Sequence, residues 1–160
     1  MCSHSTFSVA VVGHSYSYIR YLRDHCSSRQ RWHNLGIPLF HARIHWLSVG
    51  GASLRQSAGS RSAYSFLDRL HQLAPDVVYI HIGENDLDHL SSLEMVSAIV
   101  DFVCACIHAC RPKIVIVIQI TLFLIYQRRY ANKLHSVNSR LERNSDTVYG
   151  DTRIMYLVAW

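Results

Sequence analysis

The chain has 160 residues, of which 49% are apolar and 17% charged, with a formal net charge of +5. That is enough for one domain with a real core, too short for two comfortable ones, and too apolar for a disordered segment. The mild positive charge permits an anionic partner without demanding one. Met1 to Ser5 has neither the basic segment nor the apolar stretch of a signal peptide. The most apolar run, Ile114 to Ile125, is interrupted by Gln119 and Thr121 and is shorter than the ~20 residues a spanning helix needs. The expectation is a soluble, cytoplasmic protein with no membrane partner. Cys104, Cys106 and Cys110 fall in one predicted helix while Cys2 and Cys26 stand apart, a spacing that suits reduced thiols rather than a disulfide framework.

Taken in chain order, Phe7 to Val12 reads as a strand, Gly13-His14-Ser15 as a tight turn, and Tyr16 to Cys26 as a helix. Ser27 to Gly36 is polar and reads as loop. A second strand lies on Phe40 to Leu47, followed by a glycine loop, Ser48-Val49-Gly50-Gly51-Ala52-Ser53. Ala63, Phe66, Leu67, Leu70 and Leu73 form a helical stripe within Ser62 to Leu73. Pro75 opens a β-branched run, Val77 to Ile82, which Gly83-Glu84-Asn85-Asp86 then breaks. Ser92 to Cys110 is a helix with Ser91 or Ser92 as its cap and Pro112 as its stop. Lys113 to Gln119 is a fourth strand, Tyr126 to Arg143 a basic amphipathic helix, and Arg153 to Val158 a last strand.

Strands alternating with helices predict a parallel sheet covered on both faces, an α/β chain folded as a three-layer α/β/α sandwich. The polar loops Gly13 to Ser15, Gly50-Gly51 and Gly83 to Asp86 all follow strands, so they are expected to gather on one edge of the sheet, where open α/β sheets bind ligands. A serine near a helix N-terminus, a glycine amide able to approach a substrate closely, and an asparagine amide make a nucleophile with oxyanion donors, the parts needed for acyl transfer. Each has a plainer reading: Ser15 as a helix cap and Asn85 as the holder of a turn.

The pattern resembles the SGNH (GDSL-type) hydrolases, whose flavodoxin-like α/β/α fold cleaves esters, thioesters and acetylated sugars. Gly13-His14-Ser15 looks like their first block, with Ser15 at the nucleophile; Gly51 looks like the second-block oxyanion glycine, with Gly50 close enough to compete; Gly83-Glu84-Asn85-Asp86 is a full Gly-x-Asn-Asp third block, with Asn85 as the oxyanion asparagine. The resemblance covers about Phe7 to Leu141 and implies one SGNH hydrolase-like domain over 1–160, acting on a small ester or acylated substrate without a cofactor. Two departures stand out. His14 occupies the position where the family has an aspartate. No histidine follows His135, so Asp151-Thr152-Arg153-Ile154 matches the acid of the family's Asp-x-x-His block and lacks the base. The chain is therefore expected to be truncated or divergent after about 145, with activity weak or lost. His89, in Asp86-Leu87-Asp88-His89, and His14 are the substitute bases that spacing offers.

The remaining signals are weaker. His41 and His45 share one face of a predicted strand, and Cys106 and Cys110 one face of a helix, but neither pair brings the second pair a zinc site requires, so no metal is expected. Arg128, Arg129, Lys133, Arg140 and Arg143 make the late helix basic, which is ordinarily a solvated face. Tyr126 and Tyr130 interleave with those charges, so the second-ranked function is a catalytically inactive module that binds single-stranded nucleic acid. Sequence is silent on oligomeric state and on the substrate itself.

Overall fold

β-Branched and apolar residues dominate the strands, and the sheet they form sets the positions of everything else. In the computed structural model the described residues are 6–14, 37–39, 41–118, 127–143 and 147–157. The strands are β1 (Phe7–His14), β2 (Ala42–Val49), β3 (Val77–His81), β4 (Ile114–Ile118), β5 (Thr147–Tyr149) and β6 (Thr152–Leu157); the α-helices are α1 (Leu67–Leu73), α2 (Ser92–Cys110) and α3 (Gln127–Glu142). Short 3-10 segments cover Gln56–Arg61, Ala63–Phe66 and Glu84–Asp86. The result is a mixed α/β fold around one six-stranded sheet of order β2-β1-β3-β4-β6-β5, flanked by helices.

All neighbouring strands run parallel except β5, which pairs antiparallel with β6. Sequence reading missed β5. It is three residues long and exposed, and its two-residue turn uses the positive φ of Gly150, a signal overlooked between polar neighbours. The alternation along the strands is regular. Val78 and Ile80, Val115 and Val117, and Ala10 and Val12 are buried on one face, in a core with Leu70, Phe102 and Val137, whereas Tyr79 and Ile116 on the other face are half-buried.

Helix α2 carries buried Met95, Ile99, Phe102, Val103, Cys106 and Ile107 at helical spacing, and Ser91 and Glu94 close a reciprocal capping box at its start. Its 19 residues are long and apolar enough to cross a membrane by length and composition. The burial of one face within the domain core explains that apolarity without a bilayer. The expected helix over Ser62 to Leu73 is a 3-10 turn followed by α1, because Ser62 caps Tyr64 and the α-turn begins only at Leu67.

Two expectations on β1 and β2 are corrected. Gly13 and His14 belong to β1, paired with Ser48 and Val49 of β2, rather than to a turn. Gly13 also pairs with His81 of β3, and a Cβ at Gly13 would lie 2.6 Å from the His81 carbonyl oxygen, so only glycine lets these strands meet. Strand β2 starts at Ala42, which leaves His41 in the preceding turn and off the face that His45 occupies. Ser15, the expected helix Tyr16 to Cys26 and the loop to Gly36 lie outside the described residues, as do Gln119 and Tyr126.

Opposite the loops that follow the strands, the N-terminal edge of the sheet is closed by polar pairs. Asp76 accepts the Ser8 amide at 2.9 Å and meets Lys113 Nζ at 2.8 Å. The Lys113 ammonium, then the Ser8 amide, hold the Asp76 carboxyl below the usual aspartate range. Thr152 Oγ1 donates to the Pro112 carbonyl at 2.6 Å.

Candidate active site

Strands β2, β1 and β3 lie side by side and parallel, so the loops leaving β2 and β3 flank the end of β1. The loop after β2 turns at Gly50 and Gly51, both exposed; Gly51 has φ +74°, a conformation that suits glycine. The loop after β3 turns at Gly83, φ +126°, and continues into the 3-10 segment Glu84–Asp86. Both turns favour glycine for the same reason: a positive φ two residues past the end of a strand.

The two loops are tied together through Asn85 and Asp86. Asn85 Nδ2 donates to the Ala52 carbonyl at 2.8 Å, and Asn85 is otherwise exposed. Asp86 is fully buried. It accepts from Ser53 Oγ at 2.5 Å and from the Leu54 amide at 2.8 Å, and Arg55 Nε lies 3.4 Å away. A carboxylate with three such partners is a fixed strut, because removing any one leaves a buried polar group unsatisfied. The structure thus separates two neighbouring residues by role: Asp86 anchors the loop after β2, and Asn85 is exposed and bonded to the same loop at Ala52.

Among the described residues the Gly50 and Gly51 amides have no hydrogen-bond partner. Asn85 uses one of its two amide protons on Ala52. This edge therefore presents donors from two different loops, an arrangement able to receive a developing oxyanion.

The candidate bases fall differently. His89 is exposed on the turn after Asp86, its backbone amide bonded to the Asp86 carbonyl at 3.0 Å. Nothing is described of the His14 side chain. Sequence reading passed over a histidine–carboxylate contact one turn earlier, where His81 Nε2 lies 2.9 Å from Glu84 Oε1 across Gly83. The signal available was an i, i+3 pair spanning a glycine turn, obscured because His81 reads as the polar end of a strand. The contact spans the Gly83 turn.

The late basic helix also takes part in this edge. Tyr130 donates to Asp88 Oδ1 and Lys133 Nζ donates to the Leu87 carbonyl, so both side chains are used to hold the segment after the third block. The Arg128 and Arg129 side chains and Tyr126 lie outside the described residues. No group of three or more His, Cys, Asp or Glu residues comes together among the described residues. Burial, with Cys110 nearby, raises the Cys106 thiol pKa far above its ordinary value, and burial raises that of Cys110 to about 11, which makes both poor nucleophiles. A hollow lined by Val117, Leu141, Tyr156 and Leu157, with Asn138 and Glu142, lies on the β4–β6 side and includes neither Gly51 nor Asn85.

No protein-family model matches the chain. No curated protein matches it by sequence. Solved structures do. An acetyl esterase mutant crystallised with an acetate ion superposes with a TM-score of 0.58 at 13% identity, over 96% of this chain and 79% of that one. A carbohydrate esterase of family 3 from Talaromyces cellulolyticus gives 0.57 at 14% identity, with the same coverage. The fold is the one these esterases share. At such identities the likeness concerns backbone architecture and leaves the residue roles to be argued from the site.

Proposed function

We propose that the chain is a serine acyl hydrolase of the SGNH type acting on small carboxylic or acetyl esters. Ser15 is the nucleophile; Gly51, Asn85 and the Ser15 amide are the oxyanion donors. The observation that carries this reading is the meeting of Asn85 with the Gly51 loop, 2.8 Å from Asn85 Nδ2 to the Ala52 oxygen. It holds a side-chain amide beside backbone amides from another loop. Ser15 is the next residue in the sequence after His14, the last residue of β1. His14 is in turn paired with Val49, two residues before Gly51.

In the reaction, the Ser15 hydroxyl oxygen bonds to the ester carbonyl carbon while its proton passes to a base. The carbonyl oxygen becomes an oxyanion facing the Gly51 and Asn85 donors. Collapse breaks the ester C–O bond, and the leaving alkoxide takes the proton. Water then attacks the acyl-serine by the same route and releases the acid. Nucleic-acid binding through α3 has less support, since Tyr130 and Lys133 are bonded to the third-block segment.

The test is hydrolysis of p-nitrophenyl acetate by the chain and by Ser15→Ala and Asn85→Ala. Turnover that disappears in the first and drops by about 100-fold in the second supports the reading. Rates equal in all three contradict it.

A further inference from the structure

We propose that the site selects esters whose acyl group carries a carboxylate, and that Arg61 is the residue that binds it. The inference rests on the acyl-transfer reading above and deepens it by naming a substrate class.

Arg61 ends the 3-10 segment Gln56–Arg61, which Gly59 kinks with φ +59° and ψ −128°, so the chain doubles back toward the β2 loop. Its backbone is fixed there: the Arg61 carbonyl accepts the Ser53 amide at 2.9 Å, and the Ala63 amide donates to the Ser53 carbonyl at 2.8 Å. The side chain then runs alongside Gly51. A Cβ built at Gly51 would lie 3.6 Å from Arg61 Cδ and 3.8 Å from its Nη1. The guanidinium is thus a direct neighbour of the proposed oxyanion glycine.

The carboxylates of the loop after β3 are engaged with other groups. Asp86 is buried against Ser53, Leu54 and Arg55. Glu84 lies against His81, and Asp88 accepts from Tyr130. Among the described residues the Arg61 side chain has neither a hydrogen-bond nor an ion-pair partner. The adjacent cation Arg55, by contrast, is held by Ser53 and Asp86. Guanidinium does not lose its proton at any relevant pH, so the positive charge at this rim is permanent.

One planar guanidinium with parallel N–H donors fits one carboxylate, which it can bind through both oxygens. With the ester carbonyl at the Gly51 and Asn85 donors, Arg61 is the cation alongside Gly51 that a carboxylate on a short acyl chain would meet. Half-esters of short dicarboxylic acids have this form. If Arg61 acted on the oxyanion instead, it would aid charged and neutral esters alike.

The experiment compares monomethyl succinate with methyl butyrate, its near-isostere lacking the charge. Saturation-transfer NMR titrations use Ser15→Ala to prevent turnover, with Arg61→Gln and Arg61→Lys added to it. In parallel, p-nitrophenyl hemisuccinate and p-nitrophenyl butyrate are assayed with the unsubstituted chain and with each Arg61 variant. Monomethyl succinate is expected to bind about tenfold tighter than methyl butyrate at low salt. That ratio should fall to about one in Arg61→Gln, recover in part in Arg61→Lys, and shrink with added salt. The hydrolysis rates should show the same preference.

Binding preference without turnover of either p-nitrophenyl ester would support the role of Arg61 and overturn the hydrolase reading. Turnover without preference for the charged ester, or a preference that survives Arg61→Gln, would overturn the role of Arg61 and leave the hydrolase reading in place. Failure of both methyl esters to bind would also overturn it.

Discussion

The two edges of the sheet use their polar groups in opposite ways. At the N-terminal edge every polar side chain described above is matched: Asp76 with Ser8 and Lys113, Thr152 with Pro112. At the C-terminal edge one buried carboxylate, Asp86, is matched just as fully, and it supports a rim where the Gly50 and Gly51 amides and the Arg61 guanidinium have no partner among the described residues. The first edge closes the fold. The second leaves its donors without partners among the described residues, as the site proposed above requires of an open α/β sheet.

Removing Asp86 should break that contrast most severely. Asp86→Ala strands the buried Leu54 amide and deprives Ser53 and Arg55 of their acceptor. A loss of about 3–5 kcal/mol in urea unfolding is expected, together with loss of ester hydrolysis. Gly13→Ala comes next. Its Cβ would meet the His81 backbone oxygen, which cannot swing aside, so about 1–3 kcal/mol should be lost and the register of β1 against β3 disturbed.

The smallest effect belongs to the opposite edge. Asp76→Asn should cost about 1–2 kcal/mol at pH 7, because the partners of its carboxylate are only partly shielded from water. The sign of its pH dependence follows from the lowered pKa. Such a group stabilises the fold above its unfolded pKa, ~3.9, and loses that contribution as pH falls through the lower folded value. The gap between Asp76→Asn and the parent should therefore close below about pH 4 while ester hydrolysis at pH 7 stays unchanged.

Much of this contrast was legible in the residues. Pro75 and the β-branched run after it gave β3, the Ser91/Glu94 pair gave the start of α2, and two of the three glycine segments, Gly50-Gly51 and Gly83, are turns that follow strands, as expected. What stayed hidden depends on pairing between distant segments. Gly13 looked like a turn glycine because nothing local reveals that the His81 carbonyl packs against it. Asp86 looked like a second polar loop residue, and only the fold shows it buried beneath the β2 loop 32 residues away from Leu54. Strand β5, three residues long, was too short to show periodicity. No local pattern marks Arg61, because only the kink at Gly59 and the pairing with Ser53 bring its side chain alongside Gly51.

The most direct test of the C-terminal edge as an acyl-transfer site is covalent capture of its nucleophile. The chain is incubated with a fluorophosphonate, and the adduct is followed by intact mass and peptide mapping. A single phosphonyl group on Ser15, absent in Ser15→Ala and formed at least tenfold more slowly in Asn85→Ala, is the predicted result. No adduct on Ser15, or labelling at the same rate without Asn85, would contradict the account.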